Sequence, residues 1–152
     1  MSRCGAVFWL ALGSMAISAS PARAACQVGS VSALAFGSYN VLSPTDITTT
    51  GSFSVNNCSA GGRTYTATFS DGNGTQTARL LKSGVNTLSY NVYKDASYTQ
   101  ILGSGSGGTD TIVNTNTGAS TGPTHTLYGR IPAGQDVPVG TYTDSLTITL
   151  TF

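Results

Sequence analysis

The stretch Leu146-Thr-Ile-Thr-Leu-Thr-Phe152 alternates strictly between large apolar residues and threonines. Successive side chains of an extended chain point to opposite faces, so a period of two is typical of a half-buried β-strand. The apolar face of the predicted strand consists of Leu146, Ile148, Leu150 and Phe152. We therefore expect the chain to finish on a regular strand with one apolar face.

Nothing in this stretch protects the predicted strand against pairing with another chain. Most soluble proteins place charge, proline or a bulge on an edge strand, because its unpaired backbone groups invite a further strand. Here no charged residue follows Asp144, and Phe152 is the last residue. This pattern predicts a strand that is completed by a partner.

The same alternation recurs in four more stretches, which are predicted strands: residues 51–58, 64–70, 86–93 and 124–131. No segment shows helical spacing of apolar residues over ten or more positions. With about seven short strands in all, the sequence predicts an all-β fold, most economically a β-sandwich. The expected inward-facing residues include Phe53, Val55, Tyr65, Ala67, Phe69, Leu88, Tyr90 and Val92.

Glycine-rich segments separate these strands. Asp71-Gly-Asn-Gly74 predicts a hairpin turn. Residues 103–108, with the sequence Gly-Ser-Gly-Ser-Gly-Gly, predict a flexible loop, and residues 114–123 predict a second loop.

Residues 1–24 have the composition of a secretory signal peptide. Arg3 supplies a positive charge, residues 6–17 form a short apolar core, and Ala22-Arg-Ala24 provides the small residues of a cleavage site. We expect removal of this leader on export, leaving a single domain of residues 25–152.

Cys26 and Cys58 are the cysteines that remain beyond the leader. In an oxidising compartment, one pair of cysteines predicts a disulfide, which contributes about 3–4 kcal/mol for a loop of this size in the chain-entropy model. The alternative of a metal site or a catalytic thiol lacks partners, because the chain has 1 histidine and no glutamate.

The charged residues exclude several classes of function. Beyond the leader, five basic residues stand against six aspartates without any basic cluster, which argues against nucleic acid and anionic membranes as partners. A hydrolytic triad would combine His125 with an aspartate and a nucleophilic serine. Residues 103–107 match the nucleophile-elbow pattern Gly-x-Ser-x-Gly, but they lack the strand–turn–helix context that this motif requires. The spacing of the six aspartates does not exclude that two of them form the carboxylate pair of a glycoside hydrolase. We expect no enzyme, no metal and no cofactor.

Several motifs occur together and in order. They are Cys26-Gln-Val, Leu34-Ala-Phe-Gly-Ser-Tyr39, Gly51-Ser-Phe-Ser-Val-x-x-Cys58, Leu88-Ser-Tyr-Asn-Val-Tyr-Lys-Asp95, Leu127-Tyr-Gly-Arg-Ile-Pro-Ala-Gly-Gln135 and Gly140-Thr-Tyr-Thr-Asp-Ser-Leu-Thr-Ile148. This set resembles the spore coat protein U family, which includes the Csu-type subunits of archaic chaperone–usher pili. The elements quoted as family motifs are Tyr128, Gly129, Arg130, Ile131 and Pro132, with Gly140, Tyr142 and Asp144.

The resemblance implies an immunoglobulin-like sandwich that lacks its last strand and so exposes an apolar groove. A periplasmic pilus chaperone would fill the groove, and the donor strand of a neighbouring pilus subunit would replace it at the outer-membrane usher. The groove edge would include the strand of Leu146, Ile148, Leu150 and Phe152, whose burial is worth on the order of 6–10 kcal/mol. The implied location is the periplasm and then an extracellular pilus that supports attachment and biofilm formation.

One departure from the family pattern concerns the donor segment. Polymerising subunits carry an alternating segment before their first family cysteine, whereas Ala25 alone separates the predicted cleavage site from Cys26. We therefore expect a tip or minor subunit. The alternative is a free-standing secreted lectin-like or coat-forming module that binds an unidentified surface or glycan through residues 103–108 and 114–123.

Overall fold

A computed structural model of the chain describes residues 26–56, 63–116 and 122–152. The predicted leader and Cys58 lie outside the described residues. Within them, no helix is long and apolar enough to cross a membrane.

Eight strands make up the regular structure of the described residues, which contain no helix. They are β1 (Gln27–Ser32), β2 (Ile47–Asn56), β3 (Arg63–Phe69), β4 (Arg79–Ser83), β5 (Asn86–Tyr93), β6 (Ile112–Asn116), β7 (Thr124–Ile131) and β8 (Ile148–Thr151). The predicted all-β class is confirmed.

The strands form two antiparallel sheets. The larger sheet has the order β1-β2-β7-β5-β4, and the smaller has the order β6-β3-β8. The two layers meet through side chains of β2, β7 and β3. Phe53 lies edge-on to Phe69 with ring centroids 6.0 Å apart, and Tyr65 lies edge-on to His125 at 5.9 Å. The fold is therefore a sandwich, as the sequence predicts.

The inner faces of both sheets carry the residues that alternation places there. In β3, Tyr65, Ala67 and Phe69 are all buried, and in β5 the same holds for the residues at every second position from Leu88. The period-two pattern identified these strands because each has one face on the core and one face on water.

Three short strands were missed because their sequences do not alternate cleanly. β1 and β6 lie at sheet edges, β1 is mostly exposed, and β4 carries the charged residues Arg79 and Lys82. The predicted loop of residues 114–123 is wrong at its start, since Asn114 belongs to β6. Residues 117–121 lie outside the described part of the chain.

Two turn predictions need correction. Residues 71–74 do form a turn, but not a hairpin, because β3 belongs to the smaller sheet and β4 to the larger. The predicted flexible loop of residues 103–108 is held by hydrogen bonds. Gly103 donates to the carbonyl of Asp110 at 2.8 Å, and Ser104 donates to the Gln76 side chain at 2.7 Å.

Candidate functional site

The terminal strand β8 pairs on one side only within the described residues. Its partner is β3, from Thr66 opposite Thr151 to Phe69 opposite Ile148. In the smaller sheet β8 occupies one edge and β6 the other. The strand is shorter than the alternating pattern of residues 146–152 predicts, since Leu146, Thr147 and Phe152 lie outside it.

The hydrogen-bonding pattern shows which backbone groups of β8 are open. Ser70 donates to the carbonyl of Thr147 at 3.0 Å. Residues of an antiparallel pair alternate between bonded and non-bonded positions, so Thr147 and Thr149 direct their backbone groups toward β3. The N–H and C=O groups of Ile148 and Leu150 consequently point away from β3, toward the free edge.

The four predicted groove residues share one face, as expected. Leu146, Ile148 and Leu150 are half-buried and pack against the core. Phe152 is 50% exposed and lies edge-on to Tyr65, with ring centroids 6.4 Å apart. Their role as an acceptor of a partner strand stays a prediction.

A cavity of about 830 Å³ lies beside the segment that leads into β8. One wall is formed by residues 34–41 and the other by residues 137–144, while Leu81 and Leu88 of the larger sheet also line it. We call this cavity the lateral groove. The sequence did not predict the wall of residues 34–41, because this segment pairs with none of the described strands and its position depends on long-range packing.

Family residue Gly129 fits the groove wall closely. A Cβ atom at this position would lie 2.7 Å from Cζ of Phe36. The Phe36 ring lies edge-on to Tyr90 at 5.8 Å. The absence of a side chain at position 129 therefore lets Phe36 reach the inner face of the larger sheet.

We predict that Gly129→Ala destabilises the fold by about 1–3 kcal/mol, because the added methyl group overlaps the Phe36 ring. Urea unfolding measures the loss. In a Phe36→Leu background the smaller side chain leaves room, so the same substitution should have a clearly smaller effect. An equal loss in both backgrounds would contradict this explanation of Gly129.

Family residue Arg130 is tied to the segment before β2. Its guanidinium forms an ion pair with Asp46, with Nη2 and Oδ2 2.5 Å apart, and lies 5.8 Å from the ring centre of Tyr98. The second carboxylate oxygen of Asp46 accepts the N–H of Ala133 at 2.8 Å. This backbone bond, with the Arg130 pair, lowers the pKa of Asp46. Ile131 is buried and ends β7, and Pro132 follows it.

The chain after Pro132 is fixed by side chains that bond to backbone. Tyr39 donates to the Pro132 carbonyl at 3.2 Å and accepts from the N–H of Gln135 at 2.8 Å. Gln135 in turn bonds both backbone groups of Ser89, its Oε1 accepting at 2.7 Å and its Nε2 donating at 3.0 Å. These contacts link residues 34–41, one groove wall, to the larger sheet.

The other wall is anchored through the second family motif. A Cβ at Gly140 would lie 2.6 Å from Oγ of Ser83, so β4 approaches closely here. Tyr142 donates to the Pro138 carbonyl at 2.8 Å, and Thr143 and Lys82 exchange two backbone bonds of 2.8 and 3.0 Å. The terminal segment thus bonds β4 at Thr143 before it reaches β3.

Asp144 fixes the position at which the terminal segment passes from β4 of the larger sheet to β3 of the smaller sheet. Its Oδ2 accepts from the Tyr90 hydroxyl at 2.6 Å, and its Oδ1 accepts the N–H groups of Asn73 and Ser145 at 3.0 and 2.8 Å. Burial, with the bond to Asp144, raises the pKa of Tyr90 well above its ordinary value. Gly72 has a φ of +67°, a conformation that favours glycine. A Cβ atom at this position would also lie only 2.1 Å from Oδ2 of Asp144.

Arg79 is a residue that sequence reasoning missed. It is fully buried, and its guanidinium donates five hydrogen bonds of 2.7–3.2 Å to three backbone carbonyls and Asn91. Burial lowers its pKa, while the negative charges of Asp144 and Asp71 oppose this shift. An arginine in a protein stays protonated, so the buried charge is neutralised by oriented dipoles. Arg79 lies two residues before Leu81, so an alternating strand would place both side chains on the inner face. This spacing was the signal by which the sequence could have indicated that Arg79 is buried.

The His125 side chain contacts residues of both sheets. Its Nε2 and the Tyr65 hydroxyl form a hydrogen bond of 2.5 Å, and the ring centroids of His125 and Phe53 lie 5.0 Å apart. It is therefore engaged in the core. Among the described residues no group of three His, Cys, Asp or Glu side chains is placed to hold a metal ion.

We predict that acidification below neutral pH destabilises the fold through His125, because burial lowers its pKa below the ordinary 6.5. Between the two pKa values, His125 is protonated in the unfolded chain but not in the folded chain. Its contribution to the free energy of unfolding is therefore fully present above pH 6.5 and is lost as the pH falls through the pKa of the folded state. Urea unfolding between neutral pH and about pH 5 measures the decline. It should be largely absent in His125→Gln, and an unchanged slope in that variant would refute the assignment.

Cys26 is buried, with 6% of its surface exposed. Its predicted partner Cys58 lies outside the described residues, so the disulfide stays a prediction.

A protein-family model described as the Spore Coat Protein U domain matches residues 11–149. No curated protein matches the chain.

A solved structure also resembles this fold. It is described as the crystal structure of the CsuC-CsuE chaperone-tip adhesion subunit pre-assembly complex from archaic chaperone-usher Csu pili of Acinetobacter baumannii. The TM-score is 0.54 at 20% sequence identity, and the match covers 84% of this chain but 39% of that chain. At this identity, the likeness concerns the fold alone.

Proposed function

The chain belongs to the Spore Coat Protein U domain family, and on that premise we propose that it is a structural subunit of a chaperone–usher pilus. In this proposal, it accepts a β-strand from a partner along β8 and the lateral groove. The observation that carries the proposal is the edge of β8 at Ile148 and Leu150, which pairs with no other strand among the described residues.

Strand addition would use a cavity and an unpaired edge that follow one another along the chain, since residues 137–144 line the cavity and Ile148–Thr151 form the edge strand. An added strand would bond the free backbone groups of Ile148 and Leu150, which supplies affinity. Alternate side chains of the same strand would enter the space between residues 34–41 and 137–144, which supplies specificity. The volume of about 830 Å³ is large enough for several bulky apolar side chains.

The partners follow from this mode of binding. A periplasmic pilus chaperone would supply the first strand, and a neighbouring pilus subunit would supply its replacement at the outer-membrane usher. The solved structure with a similar fold is described as a chaperone–subunit pre-assembly complex, which supports a chaperone partner. The chain would then pass through the periplasm to an extracellular pilus, where it would serve attachment and biofilm formation.

The position in the fibre is part of the same proposal. The predicted cleavage motif ends at Ala24, and β1 begins at Gln27. This arrangement supports a subunit that receives a strand at the tip or as a minor component. Immunogold labelling of purified pili tests the placement, since labelling repeated along the shaft would refute it.

Expression in a periplasm, with and without a candidate pilus chaperone from its own gene neighbourhood, tests the function itself. We expect a soluble one-to-one complex with the chaperone and aggregated or degraded chain without it. A stable monodisperse monomer in the absence of chaperone would mean that the fold closes by itself. The free-standing binding module would then replace the pilus subunit as the working function.

A further inference from the structure

A second cavity, separate from the lateral groove, lies between β6 and β7. Its volume is about 320 Å³, and its polar lining comes from Lys94, Asn114, Thr124, His125, Thr126 and Tyr128. We call it the β6–β7 cleft. We propose that this cleft is a binding site for an uncharged sugar residue of a glycan.

The position of the cleft keeps it accessible when a strand is added at β8. In the smaller sheet, β6 and β8 lie on opposite sides of β3. The cleft is bounded by β6, and the lateral groove lies along the segment that leads into β8. Occupation of one site therefore leaves the other open.

The lining offers hydrogen-bonding groups that the described part of the fold does not use. The side chains of Asn114, Thr124 and Thr126 form no hydrogen bond within that part of the chain, and both threonines are exposed. A carboxamide and two hydroxyls act both as donors and as acceptors. This combination matches the hydroxyl groups of a sugar, which also do both.

The cleft also offers an apolar surface of limited size. Tyr128 is half-buried, so part of its ring remains open, and Ile112 and Val113 complete the lining. A tyrosine ring combines an apolar face with a polar tip. A pyranose ring, with one C–H face and a rim of hydroxyls, has the complementary distribution.

Charge argues for a neutral ligand. Lys94 is already paired with Asp110, with Nζ and Oδ2 3.0 Å apart. Nε2 of His125 already forms a hydrogen bond with the Tyr65 hydroxyl, and burial lowers the pKa of His125, which favours the neutral imidazole. The cleft thus holds no unpaired charge for a phosphate or a carboxylate. Its volume lies at the small end of ligand sites, which suits one or two sugar rings.

Saturation-transfer NMR with a panel of methyl glycosides of glucose, galactose, mannose and N-acetylglucosamine tests the proposal on the exported chain. If the chain requires its chaperone, the one-to-one complex is used, with the chaperone alone as the blank. We expect at least one glycoside to bind with millimolar affinity. Its ring protons should receive saturation.

Three variants locate the binding. Asn114→Ala and Thr126→Val each remove one hydrogen-bonding partner and should weaken binding about tenfold. Thr87→Val, a matched change at an exposed position of β5 outside the cleft, should leave affinity unaltered. Absence of binding by every glycoside, or binding that the two cleft variants leave unchanged, would overturn the proposal. Neither result would affect the strand-acceptor function, which chaperone capture reports separately.

Discussion

Arg79→Met is expected to lower the free energy of unfolding by about 3–5 kcal/mol, by analogy with the removal of one partner from a buried charged network. Methionine fills much of the volume but donates no hydrogen bond. The carbonyls of Ser70, Gln76 and Leu102, and the side chain of Asn91, would each lose a donor.

Urea unfolding of the chain, in the same purified form for every variant, measures this loss. Arg79→Lys should fall between the wild type and Arg79→Met, because an ammonium keeps the charge but donates fewer bonds in a different geometry. Arg130→Met is the matched control, since that guanidinium is partly exposed and its pair with Asp46 is worth about 1 kcal/mol or less. Equal effects at positions 79 and 130 would refute the structural role of the buried guanidinium.

Val139→Asp is expected to weaken capture by the chaperone at least about 100-fold, because a charge would be buried against the incoming strand. Val139 lines the lateral groove and is fully exposed in the free fold, so the substitution should leave the subunit itself folded. Co-purification and titration with the chaperone measure the change.

Val85→Asp provides a matched control for this variant. Val85 is 96% exposed in the turn between β4 and β5 and does not line the groove. The same change of residue at this position should leave capture within about twofold of the wild type. If both variants bound alike, the groove would not be the surface that the chaperone occupies.

The sequence predicted the strands whose two faces differ. β2, β3, β5 and β7 each have one face on the core, so their apolar residues recur at every second position. β4 was not predicted because one of its two inward-facing residues is Arg79, a charged residue that a local pattern assigns to the surface. Its burial depends on carbonyls contributed by residues far along the chain.

The open terminal strand was predicted, but its length and surroundings were not. Alternation begins at Leu146, yet Thr143 pairs with Lys82 of β4, Asp144 is bonded to Tyr90, and pairing with β3 begins only at Ile148. The groove requires residues 34–41 to lie across the larger sheet. That placement depends on Phe36 filling the space above Gly129, a contact that no local pattern reveals.

Backbone amide exchange of the chaperone-bound chain tests the central claim most directly. In the free fold, the N–H of Thr149 faces β3, whereas those of Ile148 and Leu150 face the open edge. We expect the complex to protect the amides of Ile148 and Leu150 as strongly as that of Thr149, because an added strand would bond them. Fast exchange at these two amides in a stable complex would show that the chaperone binds elsewhere and that β8 accepts no strand.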